Sequence, residues 1–213
     1  MLEINNLQKT VGNKKILDGI NLSFDFKNSV AIFGRHATGK SILLKSILGF
    51  SKFEIGTVIF NNKKVLYNST RKINKLRESI NLVSQEDRFL EDVTVLQNIQ
   101  WITAKSHDQI IFIITEVGLS GNIDSKVKFI SPKERQLLKL AIALLNSPKF
   151  LLVDEPMQNL TIEEAKDFVE LLIRLTQKYT IGLLITTREK ELICSFDQKY
   201  ILENGILNEF TQQ

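Results

Sequence analysis

Apolar and polar residues alternate through Leu2–Leu7 and again through Ile20–Phe26, the period-two pattern of strands that bury one face. Ser29–Phe33 is a short apolar run instead, as a strand covered on both sides requires. Val58–Phe60 and Val65–Tyr67 flank Asn61-Asn62, and an asparagine pair between two such runs predicts a hairpin. Ser79–Ser84 reads as another strand, ending at Gln85. From about Arg88 the period lengthens. Val93–Ala104 and Gln109–Val117 have helical spacing, Gly118 and Gly121 bracket a turn, and a longer helix is predicted from Pro132 to about Leu145. Strand texture returns at Phe150–Val153 and Ile181–Thr186, on either side of an amphipathic helix over Thr161–Gln177. Tyr200–Leu202 reads as an edge strand and Asn204-Gly205 as the last turn.

This order predicts one α/β domain over residues 1–213, with 1–87 and 148–213 as its core and a helical insertion over 88–147. A hydrophobic content of 43% and a charged content of 24% suit a buried core, and three prolines with ten glycines leave no room for a disordered linker. Runs such as Ile110–Ile114 are too short to cross a bilayer, and Met1-Leu2-Glu3-Ile4 carries no secretion signal, so a soluble, cytoplasmic protein is expected. Cys194 is the single cysteine, which excludes an intramolecular disulfide and a thiolate metal cluster within the chain. His36 and His107 are the only histidines. The net charge of +4 comes from scattered clusters, Lys14-Lys15, Lys63-Lys64 and Arg71–Arg77, without interleaved aromatics. They read as solvated surface, and no nucleic-acid partner is expected.

The chemistry is concentrated between Ser29–Phe33 and the apolar helix expected to follow it. Residues 34–41 read Gly-Arg-His-Ala-Thr-Gly-Lys-Ser, a complete phosphate-loop motif in its required context of strand, loop and helix. Gly34 and Gly39 let the backbone curl so that its N–H groups face an anion. Lys40 reaches the outer phosphates, and the Ser41 hydroxyl can ligate magnesium. Phe150–Val153 ends in Asp154-Glu155. Asp154 can hold the magnesium shell together with Ser41, and Glu155 can orient or deprotonate the water that attacks the terminal phosphate. His36 occupies a variable loop position. Trp101 and the phenylalanines read as core rather than cofactor contacts. For Phe89 and Leu90, core packing and an exposed contact with a membrane subunit both remain open.

The sequence of features resembles the ATP-binding cassette (ABC) ATPases over nearly the whole chain. Residues 34–41 are similar to the family's Walker A, and Phe150–Glu155 to its Walker B strand with the catalytic glutamate. Gln85 falls where the Q-loop lies, and Phe89–Ile99 is similar to the stretch beyond it. Ser131 stands where the signature Leu-Ser-Gly-Gly-Gln belongs. Asn159-Leu160 resembles the Gly-Asn-Leu-Asp form of the D-loop, common in the branch of the FtsE cell-division and LolD lipoprotein-release ATPases. The resemblance implies a P-loop NTPase fold: a mixed central sheet, an antiparallel β subdomain and a helical insertion. It implies ATP and Mg2+ as cofactors. Gly34, Arg35, His36, Ala37, Thr38, Gly39, Lys40 and Ser41, with Val11, Ser131 and Thr187, would lie at nucleotide. Ser41, Gln85 and Asp154 would serve the metal, and Glu155 and Gln85 the reaction. Its further implications are a second ABC ATPase subunit in a head-to-tail dimer, a membrane-embedded permease or regulator, and a peripheral place on the inner face of the membrane.

The departures from the family fall on the ATP sandwich. The signature reads Ile130-Ser131-Pro132-Lys133-Glu134, with both glycines gone. Proline removes one N–H, and Lys133 brings a side chain where close approach favours glycine, although its ammonium can restore some attraction. Ser131, Pro132 and Glu134 also spell a well-capped helix start, so a helix cap and a surviving ATP contact both fit. Thr187 takes the switch-histidine position and cannot carry a charge; Arg188 beside it can compensate for that charge, although a surface position is the favoured reading. Thr161 takes the D-loop aspartate position, where it suits a helix cap. Val11 replaces the aromatic that stacks on adenine, and Leu137 the arginine after the signature. The expected activity is therefore slow ATP hydrolysis that drives or gates a membrane partner. The alternative is a barely hydrolysing switch, or the degenerate half of a heterodimer.

Overall fold

The computed structural model describes residues 1–210. Strands β1 (Leu2–Val11) and β2 (Lys14–Phe24) form a long antiparallel hairpin. Strand β4 (Ile55–Phe60) adds to the other side of β1, and β5 (Lys63–Lys64) closes this sheet in the order β2-β1-β4-β5. Asn61 and Asn62 both hold positive φ, 49° and 59°, as a tight hairpin turn demands. The strand expected over Val65–Tyr67 is not formed. Beyond Lys64 only the Val65 N–H still reaches the Val58 carbonyl, and the Tyr67 hydroxyl turns inward to donate to the Ile47 carbonyl at 2.6 Å.

The central sheet runs β10-β9-β3-β8-β7-β6. Its members are β3 (Ser29–Phe33), β6 (Ile80–Val83), β7 (Phe150–Asp154), β8 (Gly182–Thr187), β9 (Gln198–Glu203) and β10 (Ile206–Glu209). All neighbours are parallel except β9 and β10. Two expectations are corrected here. The segment around Tyr200–Leu202 lies inside the sheet between β3 and β10, and β10 is the edge, reached through a turn at Asn204-Gly205. Ser79 ends helix α2 (Thr70–Ser79) instead of opening a strand. That helix escapes sequence reading because Leu76 is its only buried residue and no apolar stripe marks it.

Helix α1 (Lys40–Ile47) and the antiparallel sheet cover one face of the central sheet. Helices α3 (Val95–Ile102), α4 (His107–Glu116), α5 (Pro132–Leu145) and α6 (Ile162–Lys178) build the core on the other. The continuous apolar strands serve both faces by alternation. Phe150 and Leu152 enter the core with α1, while Leu151 and Val153 enter the core with α5 and α6. Helices α3, α4, α5 and α6 all begin with reciprocal capping boxes, among them Ser131 with Glu134 and Thr161 with Glu164. Trp101 corrects the core expectation, being 65% exposed, and Phe50, Phe112 and Phe129 are likewise exposed. Phe89 packs against the core, whereas Leu90 faces out.

Candidate functional site

Strand register builds the site. The carboxyl ends of β3, β8, β7 and β6 line up side by side: Phe33 pairs with Thr187, Thr186 with Asp154, and Val153 with Val83. The loops that leave these ends carry Gly34–Gly39, Arg188, Glu155 and Gln85. In an open parallel sheet this edge is where ligands bind.

The phosphate loop joins β3 to α1, and its glycines are required by space. A Cβ on Gly34 would lie 2.7 Å from Thr38 Oγ1 and 2.8 Å from the Leu202 carbonyl oxygen. Gly39 holds φ at +103°, and its Cβ would meet Ile16 Cγ2 at 2.7 Å, so the β1–β2 hairpin presses directly on the loop. Ala37 is left-handed without being glycine (φ 58°). Gly39 precedes α1 with no side-chain cap, so the first-turn N–H groups remain available to an anion. Arg35, His36 and Ala37 are exposed. Thr38 Oγ1 donates to the Arg35 carbonyl.

Lys40 is buried beneath this loop. Its ammonium donates to the Gly34 and Arg35 carbonyls at 2.5 and 2.9 Å and pairs with Glu155 Oε1 at 3.0 Å. The other Glu155 oxygen pairs with Arg188 Nη2 at 2.5 Å. Burial pushes the Glu155 carboxyl up, but its hydrogen bonds to Arg188 and Lys40 together outweigh that and hold it below the usual carboxylate range. Thr186 couples the acids: its hydroxyl donates to Asp154 Oδ1 at 2.7 Å and accepts from the Glu155 N–H at 3.1 Å. Thr187 is buried, its carbonyl accepts from the Gly34 N–H, and its hydroxyl accepts from the Glu189 N–H.

Ser41, Gln85 and Asp154 line one cleft of about 650 Å³, which Lys45, Arg77 and Arg88 also line. Among the described residues no group of three or more His, Cys, Asp or Glu side chains could hold a metal by itself. One hydroxyl and one carboxylate do suit magnesium that shares its shell with phosphate oxygens and water. Two expected site residues stand apart. Val11 is half-exposed at the hairpin tip, opposite Lys14. Ser131 is exposed, spends its hydroxyl on the Glu134 N–H, and lines neither this cleft nor the one beside Glu155. Lys133 pairs with Asp167 at 2.7 Å, so its ammonium is already engaged within the chain.

Residues 17–158 match the model of the ABC transporter family. The chain belongs to that family. It is 30% identical over 202 residues to the lipoprotein-releasing system ATP-binding protein LolD of Saccharophagus degradans, covering 91% of this chain and 89% of that one. It is 29% identical to the ribose import ATP-binding protein RbsA of Caldanaerobacter subterraneus, matching 97% of this chain but only 44% of that longer protein. A dimeric ATP-binding cassette solved in a post-hydrolysis state with ADP and Pi superposes with a TM-score of 0.84 at 21% identity, over 100% of both chains. The P-loop NTPase fold of an ABC cassette, with its mixed sheet, antiparallel subdomain and helices, is therefore the fold of this chain.

Within that frame the site contains residues that sequence reading undervalued. Arg188 is exposed as expected, yet it is also an ion-pair partner of Glu155. Lys139 on α5 donates to the Ser84 and Gln85 carbonyls at 3.1 and 2.9 Å and fixes the backbone of the Gln85 loop. A lysine among apolar residues of a helix was the available signal for Lys139. Arg188 follows directly on an apolar strand end at the ligand edge, which was the signal there.

Proposed function

We propose that this chain is the ATP-binding subunit of an ABC-type membrane complex and that it hydrolyses Mg-ATP slowly. The observation that carries the reading is the convergence of Gly34–Ser41, Asp154, Glu155 and Gln85 at one sheet edge, with Lys40 buried beneath the loop. The loop N–H groups and Lys40 hold the phosphates. Ser41 and Asp154 hold magnesium, which offsets phosphate charge when bound, and Gln85 borders the same cleft. Glu155 orients the attacking water. Residues 1–87 and 148–213, the last three of which lie outside the described residues, are read as the nucleotide-binding core and 88–147 as the helical part that meets a second subunit. The dimeric relative with ADP and Pi supports pairing with a second cassette. Among the described residues no helix is long and apolar enough to cross a membrane, which fits a peripheral subunit that acts on an embedded permease or regulator. The similarity to LolD supports placement near that branch. Calorimetry tests the reading: Mg-ATP should bind the folded chain, and Lys40→Ala should abolish binding while leaving the fold intact. Absence of binding by wild-type protein, alone or with its native partners, refutes it.

A second reading is a switch that binds ATP with little turnover, or the degenerate half of a heterodimer. Pro132 at the first position of α5, Lys133 committed to Asp167 and uncharged Thr187 favour it. Turnover measured with the membrane partner present separates the two. A rate no higher than that of Glu155→Gln supports the switch.

A further inference from the structure

An ammonium has three N–H donors. Two of those of Lys40 go to the Gly34 and Arg35 carbonyls, and the ammonium is paired with Glu155 Oε1 at 3.0 Å. A phosphate that takes the remaining donor and the charge of Lys40 therefore competes with Glu155. The two carbonyls belong to the loop that carries the lysine, whereas Glu155 reaches across from the next strand. Its release would leave a carboxylate, 9% exposed, without its buried partner, and that is costly unless another cation holds it. Such a cation is present. Arg188 Nη2 contacts the opposite carboxylate oxygen at 2.5 Å, from a side chain 39% exposed and free of the loop. Thr187 cannot serve, since its side chain is neutral.

Resting on the ATP-binding reading, we propose that Arg188 is a positioning residue: it takes over the Glu155 carboxylate when nucleotide draws Lys40 away. Without it, the whole charge of Glu155 falls on Lys40 and competes with the phosphates for it. Arg188 thus acts on nucleotide through Glu155 and not by touching it.

The test is a double-mutant cycle on Mg-ATP affinity, read by calorimetry in wild type, Arg188→Ala, Glu155→Gln and the double variant. Arg188 contributes nothing to the core, and melting curves verify that each variant is folded. Arg188→Ala should weaken binding roughly tenfold, and Arg188→Lys should recover most of the loss. In the Glu155→Gln background, Arg188→Ala should change affinity by less than about twofold, because the carboxylate through which it acts is gone. Unchanged affinity in Arg188→Ala overturns the proposal. An equal loss in both backgrounds overturns it too, by making Arg188 a direct contributor to the phosphate field. Failure of wild-type protein to bind Mg-ATP refutes the underlying reading instead, so the two failures are told apart by the wild-type measurement.

Discussion

Glu155 sits with φ at 43°, a left-handed conformation that a side-chain-bearing residue adopts at a cost. The cost is met by fixed partners. Its N–H is held by Thr186, through both the carbonyl and the hydroxyl, and its carboxylate lies between Lys40 and Arg188. The kink turns the chain off β7, so Asp154 meets Thr186 and the cleft with Ser41 while Glu155 meets Lys40. Two adjacent acids thereby gain separate tasks. Glu155→Gln keeps the shape and a hydrogen-bond acceptor but loses the charge that, in the proposed reaction, would orient water and accept its proton. Turnover should fall by about 10²–10⁴-fold with ATP still bound, measured as phosphate release against nucleotide retention. Retained hydrolysis in that variant would remove Glu155 from the reaction.

At the scale of elements, α5 is the part that holds the Gln85 loop in place. Lys139 grips the loop carbonyls and Asp87, and Arg135 spans Asp87 and Glu91, with bonds of 2.8 and 2.6 Å to the two Glu91 oxygens. The Arg135 hydrogen bonds hold the Glu91 carboxyl below its ordinary range. A carboxyl lowered in the folded state adds stability above its unfolded pKa of about 4.3, and loses it as pH falls through the folded value. Arg135→Gln should therefore lose less stability than wild type between about pH 5 and 3, followed as urea midpoints across pH. Legibility differed among elements for physical reasons. The bounds of α5, Pro132–Leu145, were written by its capping residues and apolar stripe. Helix α2 was hard to read because Leu76 is its only buried residue. Interior and edge strands could not be told apart around Tyr200, since pairing partners are not encoded in a local pattern.

For the whole molecule, the Phe150 ring is the aromatic centre of the contact between the two sheets. Phe150 on β7 is fully buried and meets Phe24 of β2 edge-on at 5.2 Å, Phe26 at 4.8 Å and Phe60 of β4 at 6.0 Å. The adjacent strand makes room for it: a Cβ on Gly182 would stand 2.4 Å from two atoms of the Phe150 ring. Phe150→Ala should cost about 3–5 kcal/mol of unfolding free energy by removing this contact, and Gly182→Ala should destabilise by overpacking, both measured by chemical denaturation. A loss well under 1 kcal/mol for Phe150→Ala would show that the other contacts between the sheets carry their union.

The sequence by itself determined the phosphate loop, the paired acids, the capped helices and the family, because each is written in neighbouring residues: glycines where the backbone must curl, an apolar run ending in two carboxylates, a serine three residues before a glutamate. Tertiary structure decided what those residues meet. The register of parallel strands brought Thr186 to Asp154 and Arg188 to Glu155, while the packing of α5 against α6 and against the end of β6 brought Lys133 to Asp167 and Lys139 to the Gln85 loop. Such pairings join residues tens of positions apart, where charge neutralisation and desolvation depend on distances that no local pattern carries.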